Sequence, residues 1–89
     1  RIKELELTLK LEISKSPLVD QVRGSGLLLG ITLKLSVAKT LVTQLQERGL
    51  LVNATSDIVI RIAPPLIITD QQVSHFVEVF REVAATHER

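Results

Sequence analysis

The chain has 89 residues, a formal net charge of +1 and a mean hydropathy of +0.28. This length predicts one domain spanning residues 1–89, and the lack of cysteine excludes disulfides and thiolate metal sites. The scattered basic residues have no aromatic partners, which argues against nucleic-acid binding, and with no signal peptide and no apolar run of roughly 18 residues we expect a cytoplasmic protein without membrane contact.

The N-terminal segment, residues 1–16, allows two interpretations. Apolar and polar residues alternate strictly from Leu5 to Ile13, and this alternation is typical of a half-buried strand. Leu, Glu and Lys are also good helix formers, so intrinsic propensity favours a helix instead. We predict a strand, because on a helix these leucines would point in every direction.

Two glycines predict a hairpin after this segment. Residues 19–23 read as a short strand and residues 27–35 as its returning partner. Gly24 and Gly26 form the turn between them, because glycine accepts positive φ without a steric penalty. A nucleotide site is not expected here, since no third glycine follows and no helix starts at this point.

A helix and a strand follow the hairpin. Ser36 is a candidate N-cap for a helix over residues 37–48, and Gly49 is a candidate C′ residue that ends it. Residues 50–54 then read as a strand. Within it, Asn53 has two readings: an amide turned towards a ligand, or a strand-end hydrogen bond to the nearby backbone.

The next strand, residues 58–63, carries one arginine among aliphatic neighbours and stops at Pro64 and Pro65. Because strand side chains alternate between faces, Arg61 shares its face with Val59 and Ala63. A guanidinium on a rigid strand suits the binding of a carboxylate in a fork of hydrogen bonds. The alternative is an arginine on a half-exposed sheet with no ligand. The short turn over residues 55–57 predicts antiparallel pairing with the preceding strand.

The C-terminal region predicts one amphipathic helix. Thr69 and Gln72 have the spacing of a capping box. Apolar residues then recur at helical spacing on one face: Val73, Phe76, Val77, Phe80 and Val83. His75 and His87 are isolated, so we expect surface histidines and no metal site.

These elements together predict an α+β fold. It is a two-layer domain in which an antiparallel sheet carries its helices on one face. So hydrophobic a small domain is expected to expose apolar surface. This predicts a homo-oligomer, formed through that surface or by exchange of the N-terminal strand.

Three sequence blocks resemble the C-terminal small domain of class III pyridoxal-phosphate aminotransferases. They are PLVDQVRGSGLLLG from Pro17, ERGLLVNA from Glu47 and IVIRIAPPL from Ile58. The resemblance covers residues 17–85 and is nearest to the acetylornithine and ornithine branch, which serves arginine biosynthesis. It implies that Arg61 binds the substrate's α-carboxylate in the R-x-A-P-P-L motif, and that the family's G-x-G turn falls on Gly24 and Gly26.

The resemblance also implies what this segment lacks. The family's catalytic lysine and pyridoxal-phosphate site belong to a large domain, and none of the lysines here stands in a Schiff-base motif. We therefore expect no cofactor in this chain and no transamination by it alone. A strand over residues 1–16 would be a departure from the family. The alternative function is therefore an engineered or structural self-associating domain with no ligand. A free-standing small-molecule sensor ranks behind both.

Overall fold

A computed structural model describes residues 2–25, 28–62 and 69–88. Within these residues the helices are α1 (Ile2–Ile13), α2 (Ala38–Glu47) and α3 (Asp70–Ala85), and the strands are β1 (Val19–Ser25), β2 (Leu28–Leu33), β3 (Val52–Ala54) and β4 (Val59–Ile62). The order along the chain is α1-β1-β2-α2-β3-β4-α3. No helix in the described part of the chain is both long and apolar enough to cross a membrane.

The N-terminal segment is a helix, so the predicted strand is wrong. Leu5, Leu9 and Ile13 are at most 3% exposed, whereas Leu7 and Leu11 are each 64% exposed. Strict alternation contains the i, i+4, i+8 series within it, and only that series faces the core. Intrinsic propensity and an ion pair between Lys10 and Glu6 at 2.9 Å further support the helix.

The strands form one antiparallel sheet in the order β1-β2-β4-β3. The hairpin of β1 and β2 is confirmed, and so is the antiparallel pairing of β3 with β4. A bulge at Asp20 shifts the register between Val19 and Gln21. The sheet and the helices against it confirm the predicted two-layer α+β fold.

The core lies between the helices and one face of the sheet. Its apolar side chains are buried residues from every helix and from each of the strands. The largest that are under 2% exposed are Phe80, Leu9, Ile13, Leu29, Ile31, Leu41, Leu45, Ile60 and Ile62. Because the sheet contributes alternate residues to this core, the residues between them point to its other face. We call that other face the open face.

The ends of α2 are set by neighbouring backbone groups. Ser36 is not its N-cap: Val37 takes that position without a side-chain cap, and the Ala38 N–H instead donates to the carbonyl oxygen of Asp57 at 2.9 Å. The prediction for Gly49 is confirmed, since it has φ of 88° directly after the C-cap. The Leu50 N–H then donates to the Leu45 carbonyl at 3.1 Å, which completes a Schellman motif.

The capping box of α3 is also confirmed. The Gln72 N–H donates to Thr69 Oγ1 at 3.1 Å, and the Thr69 N–H donates to Gln72 Oε1 at 2.8 Å. These two bonds satisfy donors that the first turn of a helix leaves without intrahelical partners. They fix the start of α3 at Asp70, from which its apolar face runs across the core.

Two side chains from the helices bind carbonyl groups of the outer strands. Lys10 Nζ on α1 donates to the carbonyl oxygen of Gly24 on β1 at 2.8 Å. Gln46 Nε2 on α2 donates to that of Val52 on β3 at 2.9 Å. Each helix is thus tied to one edge of the sheet as well as to its face.

Candidate functional site

The candidate site is a row of four residues across the open face. Arg61 on β4 stands opposite Gly30 on β2 and opposite Asn53 on β3, and Gly30 in turn stands opposite Arg23 on β1. Residues paired directly across antiparallel strands project from the same face. The row therefore runs Arg23, Gly30, Arg61, Asn53, from one edge of the sheet to the other.

Strand alternation explains why Arg61 lies on the open face. Its neighbours Ile60 and Ile62 are buried against the helices, and Arg61 between them is exposed. Ile58 precedes the strand and is 40% exposed. The predicted face assignment is thus confirmed for residues 60–62, while Ala63 lies outside the described residues.

Arg61 has hydrogen-bonded strands on both sides, so its backbone is held firmly. Val59, two residues before it, is half-buried on the same face. Asn53 is exposed beside it on β3, which places the amide next to the guanidinium. This arrangement offers a charged fork and a neutral donor and acceptor within one row.

Sequence reasoning missed Arg23, which shares the row with Arg61. The prediction places the turn over Gly24 to Gly26 and ends the strand at Arg23, and it gives Arg23 no role in the site. Gly24 instead lies in β1, paired with Leu29. It does have a positive φ, of 122°. Counting back along the hairpin from the Ser25–Leu28 pair would have placed Arg23 opposite Gly30.

The other predicted turn residues, Gly26, Pro64 and Pro65, lie outside the described residues. Across residues 2–25, 28–62 and 69–88, neither Arg23 nor Arg61 forms an ion pair or a hydrogen bond. The two guanidinium groups are therefore available to a ligand.

A groove lies between α1 and α3, with a volume of about 700 Å³. Glu12 and Lys15 line it and form an ion pair at 2.6 Å. The hydrogen bond from Lys15 is the main cause that lowers the pKa of Glu12. Desolvation opposes it, and the charges of Lys15 and Arg81 lower the pKa further. Paired side chains of both signs make this groove a solvated helix junction rather than a binding site.

The histidines do not form a metal site within the described part of the chain. His87 Nε2 lies 2.8 Å from Gln44 Oε1, and His75 is exposed on α3 beside the α2–β3 connection. No cluster of three or more His, Cys, Asp or Glu side chains suited to a metal occurs among these residues.

Sequence comparison is consistent with the resemblance noted above. The sequence profile of the family Aminotransferase class-III matches residues 2–84, so the match includes most of the segment expected to depart from it. The acetylornithine aminotransferase of Mycobacterium leprae is 52% identical over 67 residues, which are 75% of this chain and 17% of that enzyme.

Solved structures share the fold. The acetylornithine aminotransferase of Elizabethkingia anophelis has a TM-score of 0.82 at 33% identity, over 96% of this chain and 24% of that one. The ornithine aminotransferase of Plasmodium yoelii has a TM-score of 0.79 at 33% identity, over 93% of this chain and 22% of that one. The chain thus spans only 17% to 24% of the length of these relatives, and it belongs to the class-III aminotransferase family.

Proposed function

We propose that this chain is the C-terminal small domain of an acetylornithine- or ornithine-type aminotransferase, and that Arg61 binds the α-carboxylate of the substrate. The observation that carries the proposal is the position of Arg61. It lies exposed and without a partner on a strand that is paired on both sides, with Asn53 beside it. A guanidinium held in this way presents a planar fork that matches a carboxylate.

Pyridoxal phosphate, which the family implies, does not fit the residues of this chain. A Schiff-base lysine needs a desolvated pocket. Lys10, Lys15 and Lys39 are ion-paired with Glu6, Glu12 and Asp57, and Lys3 and Lys34 are exposed. We therefore propose that the chain does not transaminate alone and that any cofactor would be held by other parts of a longer protein.

In such a protein the role of this domain would be to orient the substrate. Arg61 would fix one carboxylate, and the open face would cover the reacting end of the substrate and exclude water from it. The apolar side of Val59 would line the substrate beside the guanidinium. Each of these contributions is a binding or positioning effect, and none requires a titratable group of this chain to exchange a proton.

A titration with N-acetylornithine tests the role of Arg61. In ¹H–¹⁵N spectra of the 89-residue chain we expect shifts confined to the amides around residues 29–31, 53 and 59–62. The dissociation constant should be about 1 mM or weaker, because one exposed ion pair contributes little. Arg61→Gln should abolish these shifts. Arg81→Gln, which removes an exposed arginine from α3, is the control and should leave them unchanged.

Shifts that persist in Arg61→Gln would contradict the proposal. Micromolar binding to the chain would contradict the view that this site is incomplete without other parts of the protein. Both outcomes can be read only if the variants keep the amide dispersion of the folded chain, which we expect because Arg61 contributes no contact to the core.

A second candidate function, self-association without a ligand, is favoured by the exposed side of α1. Leu7 and Leu11 are one helical turn apart and each is 64% exposed. Two adjacent exposed leucines form an apolar patch that association would remove from water. We propose that copies of this chain form a dimer or a larger oligomer through this patch.

Sedimentation velocity at low micromolar concentration should show a dimer or a larger species. The double variant Leu7→Lys/Leu11→Lys should sediment as a monomer, because two charges in the patch would have to be desolvated. Leu51→Lys is the matched control, since Leu51 is 62% exposed in the α2–β3 connection. A wild-type chain that is entirely monomeric would rule out this association, and equal disruption by the control would rule out the α1 surface.

A further inference from the structure

The end of β1 lacks an apolar side chain that would hold it against the helices. Gly24 is paired with Leu29, and residues paired directly across antiparallel strands project from the same face. Leu29 is 1% exposed in the core, so position 24 also faces the helices, and glycine packs nothing there. The last apolar residue of β1 is Val22, which packs against the core two residues earlier.

The surroundings of Gly24 give this end of the strand little other support. In the described sheet β1 is an outer strand with only β2 beside it, and a bulge at Asp20 interrupts the pairing further back. The φ of Gly24 is 122°, a backbone conformation that other residues rarely adopt. A hairpin end with so few buried apolar contacts is expected to open locally at little cost.

Lys10 on α1 makes the contact that the glycine cannot make. Its Nζ donates to the carbonyl oxygen of Gly24 at 2.8 Å, and the same ammonium group pairs with Glu6 at 2.9 Å. Glu6 precedes Lys10 by four residues, which is the favourable order for such a pair on a helix. The side chain of Lys10 is only 30% exposed, and hydrogen bonds from charged donors are stronger than those between neutral groups.

We propose that Lys10 is a polar anchor that fixes the end of the hairpin of β1 and β2 to α1, in place of the apolar side chain that Gly24 lacks. The anchor requires no ligand and does not depend on the proposed function of Arg61. Without it, the end of the hairpin opens while the rest of the sheet stays paired. Arg23 immediately precedes Gly24, so the anchor also keeps this arginine in the row across the open face.

Amide hydrogen exchange in ¹H–¹⁵N spectra of the 89-residue chain tests the anchor. Lys10→Met keeps an unbranched aliphatic side chain and removes the ammonium group. We expect the amides of residues 23–25 and 28–29 to exchange about fivefold faster, the factor expected from the loss of one partly exposed hydrogen bond. Exchange at residues 31–33 and 60–62 should not change, because the core holds these parts of the sheet.

Two further variants separate the hydrogen bond from the charge. Lys10→Arg should restore slow exchange at the hairpin end, since a guanidinium can donate to the same carbonyl. Lys15→Met is the matched control. Lys15 also pairs with a glutamate of α1, at 2.6 Å from Glu12, but it lies in the groove towards α3. This variant should exchange like the unaltered chain.

Each other outcome would overturn the anchor. Unchanged exchange at the hairpin end in Lys10→Met would show that the bond to Gly24 holds nothing. Equal acceleration in Lys15→Met would assign the effect to the charge of this segment, and rates in Lys10→Arg as fast as those in Lys10→Met would show that a donor at position 10 is not needed. Acceleration spread evenly over the sheet would show that Lys10 supports the whole fold and has no local role.

Discussion

Replacing Leu9 with alanine should lower the free energy of unfolding by about 2–5 kcal/mol. In the monomeric chain, replacing Leu7 or Leu11 with alanine should change the free energy of unfolding by no more than about 0.5 kcal/mol. The three leucines are chemically identical and alternate along one segment, but only Leu9 is buried, at 1% exposure. Its removal leaves a cavity among side chains that relax only partly, whereas the other two lose contacts made mostly with water.

Urea unfolding followed by far-ultraviolet circular dichroism measures the difference. Fluorescence offers little, because the chain has no Trp or Tyr. If the segment were a strand, Leu7, Leu9 and Leu11 would share one face and the three variants would lose similar stability. Similar losses would therefore contradict the helix, and a large loss confined to Leu9 would support it.

Replacing Phe80 with alanine should remove a large part of the stability of the chain. Phe80 is fully buried, and its ring stacks against that of Phe76 with centroids 6.3 Å apart and planes within 7°. Truncation of a buried phenylalanine costs about 3–5 kcal/mol, against a total stability of about 5–13 kcal/mol for a domain of this size. No other aromatic pair exists in the sequence to compensate, since it contains only two phenylalanines.

Urea unfolding followed by circular dichroism would show the loss of stability as a lower midpoint. Phe80→Leu is the matched control. It keeps most of the apolar volume and should cost less than about 1.5 kcal/mol, so this variant should remain folded. A Phe80→Ala chain with an unchanged unfolding midpoint would show that α3 does not anchor the core as the structure indicates.

Most of the fold follows from local signals in the sequence. The capping box at Thr69, the helix end at Gly49 and the antiparallel pairing around residues 55–57 all depend on a few adjacent residues, and all are confirmed. The first helix does not follow in this way. Alternation from Leu5 to Ile13 satisfies a period of two and also contains a series at i, i+4, i+8, and only packing against the core decides between them.

The candidate site shows a similar limit. The face of Arg61 follows from alternation within one strand, and it is confirmed for residues 60–62. The neighbours of Arg61 do not follow, because they depend on the register of two further strands. Arg23 reaches the same row only through the exact pairing of the hairpin. The sequence pattern places the hairpin but leaves its register open by a residue, and a shift of one residue moves every side chain to the opposite face.

The hydrogen bonds from Lys10 to the Gly24 carbonyl and from Gln46 to the Val52 carbonyl affect how this domain can contact other proteins. In the described sheet β1 and β3 are the outermost strands, and one is bulged while the other is only three residues long. With a carbonyl on each already engaged by a side chain, neither rim is a good template for continuing the sheet into a neighbouring molecule. Since the N-terminal segment is helical, it also cannot be exchanged as a strand with a second chain. We therefore expect contacts of this domain with other chains to be made by side chains, without cross-β growth.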